Sequence, residues 1–109
     1  MPQAVTEALD RFRASLQARF GERLRELILF GSHARGDAGP ESDVDLLVVI
    51  DELTEQERRE VFDSAWDADA AGEDLVLLAP IPYSSEQAAD LRRRERRLFR
   101  DADREGIRL

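Results

Sequence analysis

The run Val44-Asp45-Leu46-Leu47-Val48-Val49-Ile50 constrains this chain more than any other stretch. Side chains alternate between the two faces of a strand, so a strand with one wet face alternates apolar and polar residues. Five successive apolar residues mean that both faces are covered, which excludes an edge meander and places this strand inside a sheet covered by helices.

The neighbouring segments supply the cover. Val5, Leu9, Phe12, Leu16 and Phe20 recur at helical spacing and Gly21 follows as a cap, which predicts a first amphipathic helix. Leu27–Phe30, cut off by Gly31, reads as a buried strand, and Asp37–Ser42 as turn material. Thr54 and Glu57 form a capping box that opens a second helix, with Val61, Phe62, Ala65 and Trp66 as its inner stripe. Asp74–Ala79 reads as a third buried strand closed by Pro80 and Pro82. Ser84 with Gln87 opens a last helix with Ala88, Leu91, Leu98 and Ala102 inward, and Gly106-Ile107 reads as its Schellman ending. The expected fold is α/β (α+β), a three-stranded mixed sheet in the order α-β-β-α-β-α, filling residues 1–109 as one domain.

Composition removes several chemistries. No cysteine is present, which excludes disulfides, thiolate metal sites and a cysteine nucleophile. All 16 basic residues are arginine, so there is no P-loop or Schiff-base lysine. A net charge of −8 argues against broad nucleic-acid binding, because phosphate neutralisation supplies most of that affinity. With neither a secretion signal nor a membrane-length apolar run, the expected setting is cytoplasmic, away from membranes.

The chemistry gathers where the two central strands meet. Asp43 and Asp45, at i and i+2, project to one side of the strand. Carboxylates that close repel unless a cation lies between them, and oxygen ligands without cysteine favour Mg²⁺ or Mn²⁺. A crossover through the second helix makes the second and third strands parallel, so both start at one edge and Asp74 is expected beside the pair. Gly31 permits unusual backbone angles, and Ser32-His33-Ala34-Arg35 reads as one helical turn. Its exposed N–H groups, the Ser32 hydroxyl and the Arg35 guanidinium form an anion site. Phosphate donors facing metal-binding carboxylates suit phosphoryl or nucleotidyl transfer. Asp37 reads as a turn residue, His33 as solvent-facing and Tyr83 as packed in a loop. The arginine-rich run Arg92–Arg100, interleaved with acids, reads as a solvated face rather than a nucleic-acid patch.

Gly31-Ser32, ten residues, then Asp43-Val44-Asp45 resembles the G-S-x(10)-D-x-D signature of the DNA polymerase β-like nucleotidyltransferases, in particular the minimal nucleotidyltransferases of bacteria and archaea. "EDLVLLAP" resembles the strand carrying the third acid, and "REGIRL" the usual C-terminal close. The resemblance implies that Gly31 and Ser32 hold the β,γ-phosphates of ATP and that Asp43 and Asp45 bind two Mg²⁺. Asp74 would complete a metal site and act as base; Glu73, which alternates less well with Val76 and Leu78, is the alternative. It implies AMP transfer with release of pyrophosphate, and a separate helical HEPN-type toxin as partner. Because the chain stops after its core, the acceptor would be gripped by another chain or by a second copy in a homo-oligomer. Two rivals are an antitoxin that works by contact with vestigial chemistry, and a transferase acting on a small-molecule hydroxyl such as an aminoglycoside.

Overall fold

A computed structural model describes residues 1–39 and 41–109; Pro40, within the expected Asp37–Ser42 turn, lies outside them. Along the chain come α1 (Gln3–Phe20), a 3-10 turn (Gly21–Arg23), β1 (Leu24–Phe30), the single-turn α2 (Ser32–Arg35) and β2 (Val44–Ile50). There follow α3 (Glu55–Ala70), β3 (Leu78–Ser84), α4 (Ser85–Arg93), α5 (Arg97–Glu105) and β4 (Ile107–Arg108). One sheet in the order β3-β2-β1-β4 holds the strands, with β1 antiparallel to β2 and β4, and β2 parallel to β3. The mixed α/β architecture and the parallel crossover are as the sequence predicts. Among the described residues no helix is long and apolar enough to cross a membrane.

β2 is buried on both faces, as its apolar run requires. Val44, Leu46, Val48 and Ile50 pack with Phe12 and Leu16 of α1 and Val61 and Ala65 of α3. Leu47 and Val49 pack on the opposite side with Ala88 of α4 and Phe99 and Ala102 of α5. Each fully buried large side chain contributes about 1.5–3 kcal/mol relative to exposure, so this strand anchors both layers.

Four expectations fail, each for a physical reason. The third strand is Leu78–Ser84, not Asp74–Ala79, and it contains both prolines. β3 is an edge strand, and the polar groups of its even-numbered residues face away from β2. Leu78 N–H donates to Asp69 Oδ2 at 3.0 Å, Pro80 and Pro82 have no N–H, and Ser84 N–H donates to Gln87 Oε1 at 3.0 Å. Prolines that would break a central strand are therefore accommodated here. Second, a fourth strand, β4, replaces the Schellman ending: Gly106 is extended, and a Cβ there would fall 2.2 Å from Ala102 O and 2.3 Å from Ile28 Cγ2. Third, the last helix breaks between Arg93 and Arg97, where no apolar residue holds a continuous stripe; Glu95 takes φ +51. The break lets Arg92 reach Glu26 at 2.8 Å and Asp103 at 2.8 Å. Fourth, Phe62 and Trp66 are 48% and 72% exposed. The buried stripe of α3 is Val61, Ala65 and Ala68, and the two aromatics lie to one side of it.

Local signals at the helix starts hold. Thr54 Oγ1 accepts from Glu57 N–H at 3.1 Å while Glu57 Oε1 accepts from Thr54 N–H at 3.0 Å, and Ser84 and Gln87 repeat the device on α4. Glu57 also takes two bonds from Arg23, at 2.7 and 2.8 Å, which clamps α3 to the start of β1. The Arg23 bonds, followed by the Thr54 amide, hold the Glu57 carboxyl down at about 2 from an ordinary 4.5. Its folded value lies below its unfolded one, so the stabilisation is complete above the unfolded value and disappears as pH falls from 4.5 towards 2. Glu57→Gln should flatten the loss of melting temperature across that window in circular-dichroism melts. Parallel losses in both proteins would mean that another group controls acid unfolding.

Candidate active site

The antiparallel pairing of β1 and β2 sets Phe30 opposite Asp45, which brings the end of one strand to the start of the other. Gly31 then turns the chain with φ +76 and ψ −155. A Cβ at this position would lie 2.5 Å from Asp45 Oδ2, closer than any side chain tolerates. Glycine is required twice over, for its backbone angles and for direct contact between main chain and carboxylate. Ser32–Arg35 forms the expected helical turn, closed by Ala34 N–H and Arg35 N–H donating to Gly31 O at 3.1 Å. A first turn leaves its leading N–H groups, here those of Ser32 and His33, without intrahelical acceptors.

Asp43 is exposed just before β2, and Asp45 is half-buried within it on the α4–α5 side of the sheet. Burial, then the charge of Asp43, raises the Asp45 carboxyl above its ordinary value, against the lowering pull of His33 and Arg35. A carboxyl disfavoured as an anion by burial and by a like charge is suited to a cation, so the pair fits a divalent ion.

Two further residues of the turn behave otherwise than expected. His33 is half-buried and its Nε2 lies 3.2 Å from Ser42 O, so it ties the turn to the segment that delivers Asp43. Its position as the sole histidine, inside the turn, was the only signal for this role. Arg35 is held by Asp37 at 3.3 Å and by Glu105 at 3.4 Å, which docks the end of α5 on the turn and engages part of the guanidinium. Asp37 is the exposed turn residue expected, and Tyr83 packs on Phe99 at 5.5 Å between ring centroids, from β3 rather than from a loop.

Asp74 does not open β3 and is not brought to the pair. It lies on the connection from α3 with Glu73, lining a recess with Gln3, Glu7 and Arg11 of α1. The parallel register puts Ala79 beside Asp45. Among the described residues no three His, Cys, Asp or Glu side chains are grouped to hold a metal. Asp74→Asn should therefore leave transfer within about threefold of wild type, as for surface substitutions elsewhere. A loss as deep as that of Asp45→Asn, measured in the same assay, would show that the connection carries Asp74 to the pair during turnover.

The fold and this site define a class. The nucleotidyltransferase domain model matches residues 9–99, and the chain belongs to that family. A Methanocaldococcus jannaschii protein named "Putative protein adenylyltransferase" is 32% identical over 80 residues, covering 72% of this chain and 79% of that one. A second protein so named in that organism is 44% identical over 45 residues, 41% of this chain and 45% of its own. "Protein adenylyltransferase MntA" of Thermococcus cleftensis is 39% identical over 51 residues, 47% of this chain and 50% of its own. The matched stretch thus spans about half the length of the last two.

Proposed function

We propose that this nucleotidyltransferase moves AMP from ATP to a hydroxyl of a partner protein in the cytoplasm, releasing pyrophosphate. The observation that carries the reading is the contact between Gly31 and the Asp45 carboxylate, which fixes the phosphate-binding turn against the carboxylate pair. Gly31 and the amides of Ser32 and His33 hold the triphosphate tail, and the Ser32 hydroxyl adds a donor. Asp43 and Asp45 hold divalent cation, Mg²⁺ or Mn²⁺, which when bound neutralises the triphosphate and the pair together. The acceptor oxygen bonds to the α-phosphorus as the bond to the β-phosphate oxygen breaks; the hydroxyl proton leaves to solvent and pyrophosphate departs in line. Relatives named as protein adenylyltransferases support a protein acceptor, and a helical HEPN-type toxin is the acceptor the motif resemblance implies.

Ala79 beside Asp45, with Asp74 apart, favours a second reading: an antitoxin that binds its toxin while its chemistry is weak. Intact-mass spectrometry after incubation with ATP, Mg²⁺ and the helical HEPN-type partner separates the two. An AMP mass gain on the partner, absent in Asp45→Asn and reduced in Ser32→Ala, supports transfer. A stable complex without adduct supports binding alone.

A further inference from the structure

The exposed aromatics of α3 lie beside an unsatisfied buried carboxyl. Phe62, Trp66 and Asp69 follow one another at i, i+4 and i+7, which places them on one stripe of the helix. With Asp63, and with Leu78 and Pro80 of the edge strand, they line a recess of about 400 Å³. Trp66 is 72% exposed and Phe62 48%, whereas Asp69 is 7% exposed. Asp69 Oδ2 accepts the Leu78 N–H, but Oδ1 is out of solvent with no partner among the described residues.

A buried carboxylate oxygen without a donor is costly, and proteins retain such groups mainly where something else completes them. The recess has no basic residue in its lining. Phe62 and Trp66 give it aromatic faces, and Asp69 and Asp63 give it two carboxyl groups. Aromatic faces combined with carboxylates match a guanidinium, which is weakly hydrated, stacks on indole and donates in a plane; an ammonium does less of each. Tryptophan and arginine are also among the residues most enriched at the energetic centres of protein interfaces. Strand addition is excluded as the binding mode, because the outward N–H groups of β3 are either absent or already bonded.

We propose that this recess is a docking site for an arginine side chain presented by a partner protein, seated between Trp66 and Asp69. Leu78, which lines it, is the register neighbour of Val44, so the docked partner stands at the same end of the sheet as Asp43 and Asp45. A second copy of this chain is disfavoured as occupant by the net charge of −8 on each. The inference goes beyond the proposed transfer and holds whether or not AMP moves.

The sole tryptophan of the chain is Trp66, so its fluorescence reports the recess directly. We would titrate the protein, without nucleotide, with N-acetyl-arginine amide and with N-acetyl-citrulline amide at fixed ionic strength. The expected result is a saturable change in the millimolar range for arginine, with at least about tenfold weaker binding of the uncharged isostere. Asp69→Asn should abolish the difference between the two. Phe62→Ser, which leaves the Asp69–Leu78 bond in place, should weaken arginine binding and covers the case in which Asp69→Asn does not fold. Equal responses to arginine and citrulline, an unchanged preference in folded Asp69→Asn, or unchanged arginine affinity in Phe62→Ser would overturn the proposal. So would Trp66 emission that shifts with protein concentration alone alongside dimer formation in sedimentation, since the occupant would then be a second copy.

Discussion

Replacing Asp45 by asparagine should lower nucleotidyl transfer by about a thousandfold, the several kcal/mol that a positioned cation contributes to phosphoryl chemistry. The fold should survive, and become slightly more stable near neutral pH. Burial and the charge of Asp43 raise the folded Asp45 value above its ordinary 3.8. A carboxyl whose folded value is raised binds more protons in the native state, so it costs stability as pH rises through its range. Asparagine removes that cost. Wild-type melting temperature should accordingly rise on adding Mg²⁺, because a ligand that binds only the native state stabilises it, while Asp45→Asn should gain little. Loss of transfer with unchanged Mg²⁺ stabilisation would assign the cation to other residues. Transfer at the wild-type rate would remove Asp45 from the site.

The second large effect is at Gly31. Alanine there meets φ +76 and a Cβ 2.5 Å from Asp45 Oδ2, so it must displace either the turn or the carboxylate. The φ, ψ pair at Gly31 falls in a region essentially restricted to glycine, which costs another residue about 1–3 kcal/mol, and the clash adds to it, so Gly31→Ala should destabilise by about 2–4 kcal/mol and lower transfer at least about a hundredfold. The two causes separate in a double-mutant cycle. In an Asp45→Ala background the carboxylate is gone and only the backbone strain remains, so the stability loss from Gly31→Ala should shrink by about 1 kcal/mol or more. Denaturant unfolding of the four proteins measures it; simple additivity would mean that the turn and the carboxylate do not touch in solution.

Where local chemistry decides the structure, the sequence is easily read. Thr54 with Glu57 and Ser84 with Gln87 are self-contained capping boxes, and both form. The two-faced run Val44–Ile50 could only be central, and the parallel crossover followed from it. Gly31, Ser32, Asp43 and Asp45 needed only these two strands to meet, and they do. Reading failed where the outcome depends on which strand is last in the sheet. Pro80 and Pro82 look like terminators, yet in an edge strand they cost no hydrogen bond, so β3 begins four residues later than expected and leaves Asp74 behind. The same edge position exposes Phe62 and Trp66, which lie beside Leu78 and Pro80 of β3, because among the described residues no strand lies beyond β3 to cover them. Glu105 at the end of α5, which holds Arg35, and the Ser42 carbonyl, which meets His33, are groups that periodicity does not reveal.

The blocked border of β3 also bears on how this protein ages in concentrated solution. Fibrils and runaway oligomers start when a foreign strand recruits unpaired amides along a sheet margin. Here one margin offers none that are free, and the other is partly occupied by Ile107–Arg108, which pair with Leu29 and Ile28. Colloidal failure should therefore proceed through the aromatic face of α3 or the remaining length of β1, and a single charge introduced at Trp66 would improve shelf life more than any change in β3.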